Sequence, residues 1–297
     1  MNDTPCTLTM TVLTENTPRE GLRAEHGLSL HLYYARTGTL ANLLLDFGQS
    51  NAFAQNAATL GIDLSSVDVA VLSHAHYDHA NGMPAFFDMN DNARLYLSDA
   101  CAENCWSTKG GMTSPHYIGI KAGLLDRHSD RIRRASTSHV TTIAPGIHLV
   151  PHTTHNLAEV GRSSGMLLEA DGGWAPDDFR HELSLVLELA PAQDATPRLA
   201  VLNSCTHAGL AAIAEDVALA FPGARIAAYV GGLHLVHASG DQVGQVVDVV
   251  RCAGIERLYT GHCTGDAAML ILSQALPGRV VPLYPGLTLQ LAASNAQ

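Results

Sequence analysis

Hydrophobic and polar positions along this chain switch between a period of two and a helical period, and the switches lay out its elements. Thr7–Thr14 carries Leu8, Met10 and Val12 at every second place, the pattern of a half-buried edge strand, and the breaker cluster Glu15-Asn16-Thr17-Pro18 ends it. A strand through Tyr34 and a leucine-rich strand from Leu43 to Phe47, joined across Thr37-Gly38, read as a hairpin. Residues 51–60 are Ala-rich, follow Ser50 and stop at Gly61, which predicts a capped helix. The apolar run 69–72 predicts a buried strand. From 84 to about 140 the pattern is irregular, with one short strand at 94–97 and a Gly-rich loop at 107–117. Strand character returns over 140–150 around a Pro145-Gly146 turn, and 171–180 reads as a polar loop leading into a strand over 181–187. Further strands at 198–202, 227–230 and 258–260 interleave with helices at 241–250 and 267–276, and 280–291 is strand-like. Such alternation predicts an α/β fold.

What the strands deliver at their ends changes the picture from fold to chemistry. The run 69–72 feeds Ser73-His74-Ala75-His76-Tyr77-Asp78-His79, and borderline cations such as zinc take imidazole and carboxylate ligands converging on one point. His74 and His76 lie two apart, so an extended backbone points both rings to the same side. Asp78 and His79 fall in the turn into a helix, where they can face a second position beside the first. The strand-then-histidine pattern recurs at Cys205-Thr206-His207 and at Gly261-His262-Cys263. His234 follows Gly231-Gly232, has little steric cover, and suits either a ligand or an acid/base group in a cleft.

Composition narrows the partners. The chain has 297 residues, 46% of them hydrophobic, enough to bury one large domain spanning 1–297 with an irregular insertion at about 84–140. A net charge of −11 excludes broad nucleic-acid or anionic-membrane surfaces, and no run of about 18 apolar residues is present to span a bilayer. Seven of the 17 Lys and Arg residues fall between Arg94 and Arg134. They make either a solvated face or a patch for an anionic group, with Lys109 and Tyr117 as substrate contacts and Met112 and Tyr117 as a flap. Six scattered cysteines behind a start without signal-peptide character predict a reducing, cytoplasmic setting. Cys101 and Cys105, four apart, suit one helix face. Oligomeric state is left open, a homo-oligomer included.

His74, His76, Asp78 and His79 resemble the signature of the metallo-β-lactamase superfamily. The resemblance implies a four-layer αββα sandwich with one or two divalent metal ions at its edge, zinc first, iron or manganese as alternatives. It assigns His74 and His76 to one metal, Asp78 and His79 to the other, and His262 to the second as its distal ligand. It also implies that Asp46 supports the ligands, with His26 near the same edge, and that a third histidine completes the first position: His152, His155 or His207. Where most members carry a bridging aspartate, this chain has Cys205.

That departure, with Ala24-Glu25-His26-Gly27-Leu28-Ser29, Ser204-Cys205-Thr206-His207-Ala208-Gly209, Gly231-Gly232-Leu233-His234-Leu235 and Tyr259-Thr260-Gly261-His262-Cys263-Thr264-Gly265, is similar to the dihydropterin ribofuranosylaminobenzene-phosphate synthases and their bacterial relatives. In that branch the match to His207 is the replacement ligand. The expected function is hydrolysis of a small phosphate- or carboxylate-bearing substrate by metal-activated water, with Asp78 as general base when the second position is empty and His234 as a catalytic partner. A synthase-like transferase condensing a pterin with an aminobenzene ribofuranosyl phosphate is the alternative, and a non-catalytic metal- or pterin-binding protein a third reading.

Overall fold

A computed structural model describes residues 6–108, 114–153, 156–170, 172–192 and 194–291. Two seven-stranded sheets face each other. The first runs, in spatial order, Thr288–Gln290, Thr7–Thr14, Ser29–Arg36, Thr39–Leu45, Val69–Val71, Arg94–Ser98 and Ile132–Ala135. The second runs Val280–Pro282, Arg257–Thr260, Arg225–Val230, Arg198–Leu202, Leu183–Leu189, Ile147–Pro151 and Thr141–Ala144.

Alternation along each strand decides what packs where. Leu8, Leu32 and Leu43 of the first sheet meet Leu185, Leu187 and Ala200 of the second in a core between the sheets. The opposite faces are covered by helices. Phe53 and Ala57 of helix Ala52–Thr59, with Phe86 and Phe87 of Met83–Phe87, pack on Leu44, Ala70 and Leu95. Ile213, Val247 and Leu272, from helices Leu210–Ala220, Gly240–Cys252 and Asp266–Ala275, pack on Val186, Val201 and Tyr229. Helix, sheet, sheet, helix is the αββα sandwich. Among the described residues no helix is long and apolar enough to cross a membrane.

Several expectations are corrected. Thr7–Thr14 is not an edge strand: Thr288–Gln290 pairs outside it, and its last five residues are all buried, because Leu13 packs under the outer helices while Met10 and Val12 face the inner core. Cys101 and Cys105 share no helix; Cys101 sits in a loop and Cys105 opens the strand Cys105–Ser107. Within 84–140, Arg94–Ser98 and Ile132–Ala135 are parallel strands of the first sheet. Cys105–Ser107 and His116–Tyr117 instead join Met166–Ala170 and Gly173–Pro176 in a small four-stranded sheet, so part of the polar 171–180 stretch is strand.

Strand direction places the chemistry. Thr39–Leu45, Val69–Val71, Arg198–Leu202, Arg225–Val230 and Arg257–Thr260 point their C-terminal ends toward one edge of the sandwich, where ligands gather in open α/β sheets. The loops there are packed too closely for side chains at two glycines. A Cβ at Gly231, whose φ is +138°, would stand 1.8 Å from the Asn203 carbonyl oxygen, and one at Gly82 would stand 2.0 Å from that of Phe47.

Candidate metal centre

Two groups of ligand atoms converge at this edge. His74, His76 and His207 place one ring nitrogen each within 4.8 Å of the others, and all three side chains are buried. Their rings pack edge to face, with centroids 4.7 to 4.9 Å apart. The Nε2 atoms of all three are buried without a hydrogen-bond partner. One such orphan is costly, and three aimed at a common point call for a cation. Burial first, then the neighbouring histidines, lowers the affinity of all three for protons, His76 to about 3. They therefore present neutral nitrogen lone pairs, the form a metal binds.

The second group is Asp78, His79, His262 and His26. Asp78 Oδ2 lies 3.2 Å from His26 Nε2 and 3.5 Å from the Nε2 atoms of both His79 and His262. His79 and His262 bring their Nε2 atoms within 3.2 Å of each other. Burial works to lower His79, but the carboxylates of Asp78 and Asp46 outweigh it and raise it to about 10. Burial likewise works to raise Asp78, and His79, His26 and His262 together hold it well below the ordinary carboxylate range. The field here favours positive charge beside His79 Nε2, whether proton or metal.

Asp46 ties the groups together. Its Oδ1 accepts from the Ser73 backbone N–H at 2.7 Å, and its Oδ2 accepts from Ser73 Oγ at 2.7 Å and from His79 Nδ1 at 2.8 Å. Because Ser73 spends its one hydroxyl hydrogen on Asp46, its oxygen accepts from His74 Nδ1, 2.7 Å away. A single buried carboxylate thus orients both His74 and His79, leaving the His74 Nε2 as a lone pair and the His79 Nε2 turned to the site for a proton or a metal. His262 is set the same way by Asn16 Oδ1, 2.9 Å from its Nδ1, while Glu15 accepts from its backbone N–H. Glu182 accepts from the backbone N–H groups of His207 and Ala208, both at 2.8 Å, and Phe179 stacks on the His207 ring. Behind the motif, His181 Nδ1 accepts from the Ala75 N–H while its Nε2 faces Asp177 at 3.0 Å.

Of the six non-glycine residues with positive φ among the described residues, Asp46, Phe179, Thr206, His234 and His262 belong to this edge and Ala195 lies elsewhere. Strained backbone of this kind persists where surrounding bonds over-determine it.

A cavity of about 340 Å³ opens over the two groups, reached by His76, Asp78, His207 and His262 from below and by Ser107, His116 and Met166 from the small sheet. None of the described residues lining it is Lys or Arg. Arg131 and Arg134 are instead turned to backbone carbonyls of Asn90, Ala93 and Cys101. Tyr117 donates its hydroxyl to the Ile120 carbonyl and does not line the cavity. Lys109, Met112 and His155 lie outside the described residues. His234 lines the cavity, its ring 4.5 Å from that of His207. His152 is turned away toward Ser184, Asn203 and Asp216, so His207 is the histidine that stands with His74 and His76. Ser73, Asn16, Glu15 and Glu182 escaped the sequence pattern, although Ser73 directly precedes the motif and Asn16 sits in the breaker cluster.

The donor set fits a divalent metal: His74, His76 and His207 would hold one ion, and Asp78, His79 and His262 a second. When bound, such ions supply Lewis acidity toward a phosphoryl or carbonyl oxygen and lower the pKa of coordinated water.

Sandwich and histidine-aspartate edge together define a protein of the metallo-β-lactamase superfamily. The crystal structure of Tm1679, described as a metal-dependent hydrolase of the β-lactamase superfamily, superposes with a TM-score of 0.76 at 26% identity, covering 95% of this chain and 98% of that one. The metallo-β-lactamase fold protein YhfI from Bacillus subtilis shares the fold at a TM-score of 0.54 and 11% identity, covering 96% of this chain and 99% of its own. Residues 36–210 match the family described as anti-Pycsar protein Apyc1, and the chain belongs to that family. A 7,8-dihydropterin-6-methyl-4-(β-D-ribofuranosyl)-aminobenzene-5'-phosphate synthase from Methanocaldococcus jannaschii is 22% identical over 258 residues, 82% of this chain and 83% of the relative.

Proposed function

We propose that this protein is a hydrolase of small anionic, phosphate- or carboxylate-bearing substrates that works with one or two divalent ions, zinc first among them. The observation that carries this reading is the convergence of the unpartnered Nε2 atoms of His74, His76 and His207 beneath an accessible cavity. The resemblance to a metal-dependent hydrolase supports it. With no Lys or Arg among the described lining residues, an anionic substrate group is met by the metal charge and by the histidines facing the cavity, His116, His234 and His237. Asp78, at the floor and held ionised, is available as a metal ligand and hydrogen-bond acceptor, and His234 is placed to give or take a proton at the leaving group.

A panel of phosphodiesters and lactones assayed with the zinc-loaded protein tests the reading. Hydrolysis of at least one class is expected, and His76→Ala should lower kcat/KM by at least about a hundredfold, the scale on which outer partners of a metal already act. Full activity in His76→Ala would contradict it. The synthase relative favours a second reading, condensation of a pterin with an aminobenzene ribofuranosyl phosphate. Quenching of pterin fluorescence without hydrolysis of the panel would select it.

A further inference from the structure

Beside the metal cavity lies a second, larger one. It measures about 810 Å³, against about 340 Å³ over the metal ligands, and the two share His207, His234, Val236 and His237. Asp78, Cys205 and His262 line the first cavity alone, while the second continues between helix Leu157–Ser164 and the start of helix Gly240–Cys252. The shared wall is held by the segment that carries His262. Leu233 N–H donates to Thr264 Oγ1 at 3.0 Å, His234 N–H to Cys263 Sγ at 3.3 Å and Val236 N–H to the Cys263 carbonyl at 3.1 Å. The chamber is therefore largely preformed, as small-molecule sites usually are.

The lining selects the occupant. None of the described residues around the chamber is Asp, Glu, Lys or Arg. Ser163 and Ser164 donate their hydroxyl hydrogens to the Val160 and Gly161 carbonyls at 3.0 and 3.2 Å, which leaves the two oxygens with lone pairs to accept with. Gln242 receives the Ser239 N–H on its Oε1 at 2.8 Å, so its NH2 group remains a donor, and Gln245 offers both kinds of group about one turn further along the same helix. Leu233, Leu235 and Val236 add apolar surface, and Val236, at the boundary of the two cavities, is 51% exposed. A charged group would give up water there without gaining a carboxylate, ammonium or guanidinium partner. An uncharged group bearing hydroxyls meets donors, acceptors and an apolar face together.

We propose that this chamber binds the non-reacting end of the substrate, an uncharged hydroxyl-bearing group of which a sugar is the type, while the anionic end lies over the metal positions. The metal cavity alone is near the lower end of the roughly 300–1,000 Å³ that ligand sites span, so a substrate with more than a small anionic group extends past His234 and Val236 into the chamber. The proposal rests on the hydrolase reading above and adds to it the chemical class of the group attached to the anionic one.

Calorimetric titration of the zinc-loaded full-length protein with two phosphonates tests the two levels separately. The probes are methylphosphonate and the phosphonate isostere of a hexose phosphate, neither of which has a P–O ester bond to cleave. The sugar phosphonate is expected to bind about tenfold more tightly than methylphosphonate, the worth of one or two net hydrogen bonds. Ser163→Trp, which fills the chamber from an exposed helix position, should bring that ratio to about one. Gln245→Leu should lower it as well, and Gln245 takes no part in the Ser239–Gln242 cap of its helix. Equal affinities in wild type, or a tenfold ratio kept by both variants, would overturn the chamber assignment and leave the metal-centre reading standing. Failure of both phosphonates and of inorganic phosphate to bind would overturn the anionic-substrate reading and this one with it.

Discussion

Replacing Asp46 with alanine is expected to weaken both metal positions at once. Its carboxylate is fully buried and accepts three hydrogen bonds, two from Ser73 and one from His79. Through the Ser73 hydroxyl it also sets His74. Removing one partner from a buried charged network costs about 3–5 kcal/mol, because the groups left behind lose their partner without regaining water. Losing an orienting partner of a metal ligand costs roughly 10–100-fold in affinity, and here two ligands lose theirs. Asp46→Asn separates the effects. Asparagine tolerates the φ of 60° found at this residue, so the turn survives, yet its amide cannot accept from all three donors. Thermal denaturation and zinc titration should therefore show Asp46→Ala failing in both and Asp46→Asn mainly in zinc affinity. Wild-type affinity in both variants would mean that the carboxylate is a turn residue and nothing more.

Stripping the metal is expected to destabilise the fold by a comparable amount. A ligand that binds only the native state at about 1,000 times its Kd stabilises by about 4 kcal/mol, and in a chain near this size each kcal/mol moves Tm by about 2–4 °C. Exhaustive chelation should thus lower Tm by roughly 8–16 °C, reversibly on adding zinc back. The physical reason is local: without a cation, the buried Nε2 atoms of His74, His76 and His207 have no partner. Identical melting before and after chelation of a protein shown to have carried metal would contradict this coupling.

Much of the architecture was legible because it is written in short-range pattern. The hairpin Ser29–Arg36 with Thr39–Leu45 follows from alternation around a glycine turn, and the helix Gly240–Cys252 from Val243 and Val247 on one face. The cluster His74 to His79 announced itself because four ligand-type side chains in six positions have few other uses. What stayed hidden is long-range. His79 and His262 are 183 residues apart, and Glu15 reaches His262 across 247. Nothing local distinguishes His152 from His207 as companion to His74 and His76, and only packing shows that His152 is bound to Ser184 and Asn203. The small sheet was missed because Gly173–Pro176 and His116–Tyr117 are short, exposed or half-buried strands without alternation. Charge density along a chain likewise does not say which way a guanidinium turns, and Arg131 and Arg134 turn to backbone carbonyls.

The central claim is that the orphan histidine nitrogens are metal ligands. Anomalous diffraction at the zinc absorption edge from zinc-loaded crystals tests it most directly. One peak is expected within bonding distance of Nε2 of His74, His76 and His207, with a second beside Asp78, His79 and His262 at full loading. Zinc bound only elsewhere on the protein, with no peak at either group, would contradict it.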